Sequence, residues 1–450
     1  MESTYQFSRK IRQGTHYDLI VTGGGPSGCA AAIRAGRAGK RVLLVEATGA
    51  LGGMGTNGLV SNWYSLSDGE QILPRGFFWE LLLSLADLGA LPPGVDPRSE
   101  DWQRKLHTGT GFNPELLKRL LDDLCLAAGV EIRFATRLVD VEMDGRRISG
   151  VVTHDVEGFT FVPCSMAIDA TGDAILARLS GVPCREAGRD TPHIMPPTLC
   201  ACLVDIDFSQ FNRREYEKIL QKAVVDNEFS QADRHVPGIF RTGANTAIQN
   251  AGHIFGMDAL SAKSLSDGYI SGRRFVSEYL KFANRRVPGC EQTVLVSTAA
   301  LMGIRESRCI QGVYELSYDD FVSRRQFSDQ IGVYNKAVDI HVYDTSDEQW
   351  ERYIGEYEGQ DKLGVGEHFG LPYRMLVAEG FENLWVVGRC ASSDIKVNGS
   401  VRDQPACYIM GEAAGLAASI ALDSDATSLS VDISSLQAGL RDGGSFIPEC

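Results

Sequence analysis

Three glycines and one acidic residue stand at a spacing that suits the binding of a nucleotide pyrophosphate. Gly23, Gly25 and Gly28 fill the glycine positions of GxGxxG, directly after the apolar run LIV at 19–21. In such a loop the first glycine permits a tight turn, the second lets the backbone approach the pyrophosphate, and the third lets a helix pack closely on a strand. A second apolar run ends in Glu46, about 18 residues after the last glycine, where an acid suits a ribose hydroxyl pair. The residues therefore predict a dinucleotide site.

Polar residues in the second half of the chain could meet a substrate. Arg305 and Arg308 stand three positions apart, so on a helix they would share a face and could clamp an anion. An internal ion-pair network with Glu306 is the alternative interpretation. His253 lies in a glycine-flanked loop, which suits a general acid or base and equally a structural hydrogen bond. Arg402 could bind substrate or compensate negative charge. These residues are the candidates for catalysis.

Other residues are weaker candidates, and several chemistries have no motif. His193, Asn398 and Tyr373 are polar or aromatic residues that could line a cleft, and each is also an ordinary structural residue. No GxSxG, HExxH or P-loop lysine motif occurs, so hydrolase and kinase functions are not indicated. The cysteines include no CxxC and no zinc spacing. No metal site is predicted.

The elements that must position these residues follow an α/β pattern that is interrupted and then resumed. The first strand, the glycine loop, a helix of small residues and a second strand fill 18–46, and a helix over about 113–128 and a hairpin at 144–145 follow. A mixed segment comes next, and near 384 a strand and a long apolar helix resume the pattern. This predicts a discontinuous Rossmann-like domain, 1–182 and 361–450, whose parallel sheet carries a β-hairpin or meander insertion. Residues 183–360 would form an α+β substrate or cap domain.

Composition excludes other classes of partner. The 450 residues carry a formal charge of −14, which opposes binding to nucleic acid or to an anionic membrane. The first 17 residues are polar without an apolar stretch, so no secretory signal is predicted. Eleven cysteines without a repeating framework fit a reducing compartment. We expect a cytoplasmic protein that binds a small molecule; the sequence leaves a homo-oligomer and the electron acceptor open.

The motifs GGGPSGCAAAIRAGRAGKRVLLVE, LGGMGTNGLV, DATGDAILARLSG, GIRESRCIQGVYELSYDDF and VVGRCASSDIKVNGSVRDQPACYIMGEAAG occur in this order. Together they resemble the FAD-dependent oxidoreductase family, within the larger glutathione-reductase and fumarate-reductase-like group of flavoproteins. The resemblance covers about residues 16–420. It implies FAD as cofactor. Because the glycine-rich loop after the second strand holds no histidine, we expect the FAD to be bound noncovalently.

The resemblance also implies which residues contact the cofactor. It assigns Gly23, Gly25, Pro26, Ser27 and Gly28 to the pyrophosphate loop, and Glu46 to the ribose. It assigns Gly52, Gly53 and Met54 to a loop along the ribityl chain and flavin ring, and Val139 to a contact with adenine from a hairpin strand. Thr171, Gly172 and Asp173 match the second flavin motif, and Gly388, Asp394, Ser400 and Val401 lie in the turn and the residues before the long C-terminal helix. Thr48 stands where many relatives have arginine.

The resemblance leaves the reaction open. The preferred hypothesis is hydride removal from a small polar metabolite bound between the two domains, by a dehydrogenase or oxidase whose catalytic residues are Arg305, Arg402 and His253. The alternative is a reductase of an activated C=C bond, as in fumarate-reductase-like enzymes, with Arg305 or Arg402 as the acid. A monooxygenase is less favoured because no nicotinamide site is visible. A flavin-binding carrier without turnover is the alternative outside enzymes.

Overall fold

The computed structural model describes residue 5 and residues 8–235, 238–359 and 362–449 of the chain. The strands, in chain order, are β1 (Arg12–Gln13), β2 (Tyr17–Thr22), β3 (Val42–Val45), β4 (Asn62–Trp63), β5 (Thr110–Gly111), β6 (Glu131–Arg133), β7 (Arg137–Asp144), β8 (Arg147–Asp155), β9 (Gly158–Asp169), β10 (Cys184–Glu186), β11 (Ala201–Val204), β12 (Gly238–Arg241), β13 (Ala247–Asn250), β14 (Val294–Thr298), β15 (Arg308–Ile310), β16 (Gln330–Tyr334), β17 (Phe369–Pro372) and β18 (Leu384–Val386).

Twelve helices and three 3₁₀ turns lie among these strands in the described residues. They are α1 (Pro26–Arg37), α2 (Phe77–Asp87), α3 (Glu100–Gln103), α4 (Pro114–Ala127), α5 (Ile175–Leu179), α6 (Arg213–Val225), α7 (Ala262–Arg286), α8 (Tyr318–Val322), α9 (Asp347–Gly359), α10 (Ile395–Val401), α11 (Gln404–Ser424) and α12 (Ile433–Asp442), with 3₁₀ turns at Gly53–Gly55, Tyr373–Leu376 and Gly388–Cys390.

A parallel sheet forms the centre of the molecule, in the order β6–β3–β2–β9–β18. Its strands are short apolar runs, and all four residues of β3 are buried, as in a sheet covered on both faces. The N-terminal half of β9 pairs antiparallel with β8, and β8 pairs with β7. This meander grows out of the strand that it shares with the parallel sheet. The predicted α/β fold with a parallel sheet and a meander insertion is confirmed.

Helix α1 packs against the long helix α11 at very close range. A Cβ added to Gly411 would overlap the carbonyl oxygen of Ser27, and one added to Gly415 would overlap that of Ala31. Glycine therefore lets the two backbones approach. Helix α11 is long and apolar enough for a membrane span, but 89% of its apolar window is buried inside the molecule, as in the core helix of a globular protein. Helix α11 thereby holds the C-terminal segment against α1, the helix that follows the glycine loop.

The middle of the chain forms a separate antiparallel sheet, in the order β12–β13–β11–β14. Helices α6 and α7 pack on it and share a hydrophobic cluster that includes Leu203, Tyr216 and Phe282. Residues between Leu316 and Ile340, by contrast, belong to the hydrophobic cluster of α1 and α11. The division into 1–182 with 361–450 and 183–360 remains a prediction. Its boundary at 360–361 lies outside the described residues.

Two local features were not predicted from the sequence. Helix α12 forms in the tail after residue 423, where Asp432 caps it and Leu436 and Leu440 bury one of its faces against the main core. The segment with Arg305 and Arg308 is not helical, so the two arginines do not share a helical face. Arg308 begins β15, which pairs with β10. Tertiary strand pairing decides the conformation there.

Candidate functional site

In the glycine loop a side chain would find open space at Gly25 but not at Gly23 or Gly28. Gly23 has φ 95°, which favours glycine, and a Cβ on Gly28 would overlap the carbonyl oxygen of Gly23. Gly25 is extended, with φ −74° and ψ −172°, and a Cβ there would meet no atom within 4 Å. The next residues, Pro26 and Ser27, form the first turn of α1, where backbone N–H groups have no intrahelical acceptor. The loop fits a pyrophosphate.

Glu46 is held in place at the end of β3. Its Oε2 accepts a hydrogen bond from the backbone N–H of Gly24 at 2.7 Å, and its Oε1 accepts two from Thr48, from N and Oγ1, each at 2.7 Å. Residue 48 differs from many relatives, yet here it orients the acid. The carboxylate lies beside the glycine loop, as a ribose ligand must.

A second glycine loop lies against the first. The Gly52 N–H donates to the carbonyl of Gly24 at 2.8 Å, and Gly52 has φ 95°. A Cβ on Gly53 would stand 2.9 Å from the Cα of Gly25. Met54 follows in the 3₁₀ turn Gly53–Gly55. The structure therefore brings 52–54 onto the pyrophosphate loop.

The turn after β9 is tied to the turn after β18 by an arginine that sequence reasoning missed. Asp169 accepts hydrogen bonds from the N–H and hydroxyl of Thr171. Arg389 donates to the carbonyl of Gly172 at 2.8 Å, to that of Ile304 at 2.5 Å, and forms an ion pair with Asp173. The sequence signal that could have identified Arg389 is its position directly after Gly388, a predicted cofactor residue. The second motif is thereby fixed to the C-terminal segment.

The remaining predicted cofactor residues lie at the C-terminal turn, with one exception. Gly388 has φ 81°, and a Cβ there would stand 2.8 Å from the hydroxyl of Ser27. Asp394 caps α10 by accepting from the N–H of Val397 at 2.7 Å, and burial raises the pKa of Asp394. Ser400 and Val401 are buried in α10, which precedes the long helix α11.

The exception is the residue predicted to contact adenine. Val139 lies on β7 where the pairing with β8 shifts register, and its side chain is exposed. The backbone next to the ribose acid belongs instead to Ala135 and Thr136, whose N–H groups donate to the carbonyls of Thr48 and Glu46. The adenine contact of Val139 stays a prediction.

A buried polar series runs from the middle segment to the turn before α11. Asp233 accepts from Nδ1 of His253 at 3.0 and 3.2 Å, and Nε2 of His253 lies 2.7 Å from Nδ1 of His341. Nε2 of His341 faces Oδ2 of Asp339 at 3.3 Å. Arg402 donates to the carbonyl of Asp339 at 3.0 Å. Two of the three predicted catalytic residues thus belong to one series, which is called the histidine series below.

The third candidate, Arg305, is buried beside this series. Its Nη1 donates to the carbonyl of Pro196 at 2.5 Å and to the hydroxyl of Thr198 at 3.0 Å. The backbone of Thr198 forms a β-bridge with that of His253. Arg308 points elsewhere, to the carboxylate of Glu186. The structure therefore brings Arg305, but not Arg308, to the histidine series.

Burial and neighbouring charge fix the protonation of these groups. Burial lowers the pKa of His341 well below its usual range and that of His235 to about 3. Burial opposes ionisation of Asp339, but His341, Lys336 and Arg402 together hold its pKa well below the usual range. Burial and the positive charge of Arg402 lower the pKa of Arg305 to about 10. At neutral pH the imidazoles His235 and His341 are uncharged and Asp339 is ionised.

Sequence reasoning missed most of the histidine series. Asp233 lies 20 positions before His253 and His341 lies 88 positions after it, and the spacing of Asp233, His235, Asp339 and His341 matches no motif. His235 stacks on His341, with ring centroids 4.2 Å apart. Only the long-range contacts of the fold bring these residues together.

Residues 18–440 match the family described as FAD dependent oxidoreductase. The chain belongs to this family, and FAD is its cofactor. A thiamine thiazole synthase of Aeropyrum pernix is 30% identical over 184 residues, which are 38% of this chain and 61% of that protein. The chain thus matches less than two thirds of the length of this curated relative.

Two solved structures align with most of this chain but share few identical residues with it. A geranylgeranyl bacteriochlorophyll reductase-like protein from Thermoplasma acidophilum is 14% identical with a TM-score of 0.49, covering 95% of this chain and 83% of that chain. The flavin-dependent brominase Bmp2 is 12% identical with a TM-score of 0.44, over 95% and 83% of the two chains. The family match alone makes the protein an FAD-dependent oxidoreductase.

Proposed function

We propose that the protein is an FAD-dependent dehydrogenase or oxidase that removes a hydride from a small polar metabolite. FAD, when bound, supplies the two-electron acceptor. The chain's own residues must then bind the substrate and take up one proton. The observation that carries the proposal is the histidine series, because it joins a pair of buried imidazoles and their carboxylates to a cationic anchor at the turn before α11.

Arg402 supports the anchoring role. One Nη is held by the carbonyl oxygen of Asp339, while its Nε is buried and has no hydrogen-bond partner among the described residues. A buried donor without a partner is costly, so a ligand oxygen that accepted from it would be favoured. An alcohol or carboxylate oxygen offers that acceptor. We therefore propose a hydroxyl-bearing or acidic substrate held by Arg402.

The paired imidazoles support oxidation as the direction. In His253 and His341 the outer nitrogens face the carboxylates of Asp233 and Asp339. Oxidation of an alcohol or amine releases a proton, and we propose that this cluster of imidazoles and carboxylates takes it up. Because both nitrogens of His253 already have partners, we propose that it acts together with His341 and positions it.

One observation favours the alternative, reduction of an activated C=C bond. That reaction needs a proton donor at the substrate. Arg305 is buried, and its pKa is lowered to about 10, which makes it a stronger acid than an ordinary arginine. In the reductase hypothesis Arg305 gives the proton and Arg402 holds the acid group of the substrate.

Anaerobic mixing of the purified holoenzyme with hydroxy acids, polyols and amines tests the proposal. Loss of the flavin absorbance at about 450 nm is expected with a true substrate, and rapid return in air identifies an oxidase. Reoxidation of the chemically reduced enzyme by an unsaturated acid, without any bleaching by the first set, would establish the reductase. Indifference to both sets would leave a flavin carrier.

Two variants test the anchor. Arg402→Gln removes one charge-assisted hydrogen bond of about 1.5–3 kcal/mol, so KM should rise roughly 10- to 150-fold. The matched control is Arg119→Gln, which removes an exposed arginine on α4. An unchanged KM in Arg402→Gln would refute the anchoring role.

The proposal includes the cellular location and the binding partners of the enzyme. The ten cysteines of the described residues are all free thiols, which supports a reducing, cytoplasmic location. We propose no nucleic-acid or membrane partner, on the charge of the chain. The electron acceptor and the oligomeric state are not part of the proposal.

A further inference from the structure

The inner nitrogens of the histidine series face each other at short range. Nε2 of His253 and Nδ1 of His341 are 2.7 Å apart. The outer nitrogen of His253 lies 3.0 Å from Asp233, and that of His341 lies 3.3 Å from Asp339. Either a shared proton or a metal ion can join two nitrogens that face each other in this way.

A third nitrogen in the same place has no partner. Nδ1 of His235 is buried and accepts or donates no hydrogen bond within the part of the chain that the structure describes. Ligand nitrogens of His235, His253 and His341 all lie within 4.8 Å of one another. Tetrahedral coordination sets such nitrogens about 3.3 Å apart, so small ring movements suffice to place an ion among them.

The surroundings of these rings are those of metal ligands. A histidine bound to a metal usually donates its other N–H to a carboxylate, which fixes the ring and raises its basicity. Asp233 does this for His253 and also accepts from the backbone N–H groups of His235 and His253, at 3.1 and 3.0 Å. Asp339 faces His341 in the same way. One carboxylate therefore organises two of the three rings.

We propose that His235, His253 and His341 bind a divalent first-row transition-metal ion, of the zinc or ferrous iron class. Imidazole ligands suit these ions, and three of them leave a fourth position open. The ligands come from three separate loops, so the ion would join the middle segment to the loop of Asp339 and, through it, to Arg402. If the proposed function holds, a substrate oxygen would bind at the open fourth position of the ion. That part of the inference rests on the proposed function, whereas binding of the metal ion does not.

Metal analysis of the FAD-loaded enzyme tests the site. The protein is produced with zinc or iron in the medium, purified without chelators, and assayed by mass spectrometry for metal and by absorbance for FAD. We expect about one metal ion per chain. Cobalt titration of the chelator-treated enzyme should give the visible absorption of a low-coordinate Co²⁺ site.

Three variants make the test specific. His235→Asn should retain FAD and lose the metal to below about 0.1 equivalent. Asp233→Asn keeps all three ligands but should weaken metal affinity about 10- to 100-fold. His193→Asn is the matched control, because His193 is exposed and stacks on Tyr343 outside the cluster, so it should keep the metal.

The outcomes separate the two proposals. A wild-type enzyme that takes up neither zinc, iron nor cobalt would overturn the metal site and leave a proton between the imidazoles. Full metal content in His235→Asn would overturn the three-histidine assignment. A metal-containing enzyme whose flavin is reduced by no metabolite would keep this inference and remove the proposed oxidation.

Discussion

Gly25 offers the sharpest test of the cofactor site, because the structure predicts opposite effects of one methyl group on the empty and the loaded protein. The backbone of Gly25 is in an extended conformation that alanine also adopts, and an added Cβ meets no atom within 4 Å. Gly25→Ala should therefore fold normally. By reducing the entropy of the unfolded chain it should raise stability by about 0.4–1 kcal/mol in the absence of FAD.

The same methyl group occupies the space through which the backbone approaches the pyrophosphate. Loss of one or more hydrogen bonds to a charged phosphate costs about 1.5–3 kcal/mol each. We expect the Kd for FAD to rise roughly 10- to 150-fold for one such bond. Equilibrium titration of the apoprotein by flavin fluorescence measures the Kd, and urea unfolding of the same apoprotein measures the stability.

Two further substitutions serve as controls. Gly355→Ala lies in α9, is exposed and also adds a Cβ in open space, so it should raise stability without changing the Kd. Gly28→Ala places its Cβ on the carbonyl oxygen of Gly23 and should destabilise even the apoprotein. The reasoning is refuted if Gly25→Ala binds FAD as tightly as the wild type, or if its apoprotein is destabilised as strongly as Gly28→Ala.

Three other predictions concern stability. Burial raises the pKa of Glu412 from 4.5 to about 7, so the free energy of unfolding of the wild type should fall as the pH rises from about 4.5 to about 7. Glu412→Gln should not show this loss, and urea unfolding at pH 8 should find it more stable than the wild type by up to about 3 kcal/mol. Gly415→Ala should lower the free energy of unfolding by about 1–3 kcal/mol despite better helix propensity, because its Cβ overlaps the carbonyl oxygen of Ala31; an unchanged free energy of unfolding would contradict the close approach of α1 and α11. Arg389→Met leaves two carbonyls, one of them of Ile304, without their donor, and should cost about 2–4 kcal/mol by the same assay, whereas Arg119→Gln should cost less than about 0.5 kcal/mol.

Local pattern was enough for the elements around the glycine loop. The helix predicted over about 113–128 is α4, and Asn113 caps it by accepting from the N–H groups of Glu115 and Leu116. The hairpin predicted at 144–145 joins β7 to β8. Capping, turn residues and apolar periodicity act within a few residues, so a single sequence displays them.

Longer-range contacts decided what the pattern could not. Arg308 pairs in a strand with a segment more than a hundred residues away, which excludes the helical alternative. There tertiary contacts outweigh local propensity.

The sequence by itself determined the nucleotide-binding fold, since glycines at fixed spacing and apolar strands are local properties, and the family resemblance of its motifs implied FAD. Only the tertiary structure assembled the histidine series. Its carboxylates and imidazoles come from loops up to about a hundred residues apart, and no spacing along the chain encodes their meeting. The physical reason is that a polar cluster is formed by burial: each group acquires its partner, its protonation and its role only when the fold removes it from water.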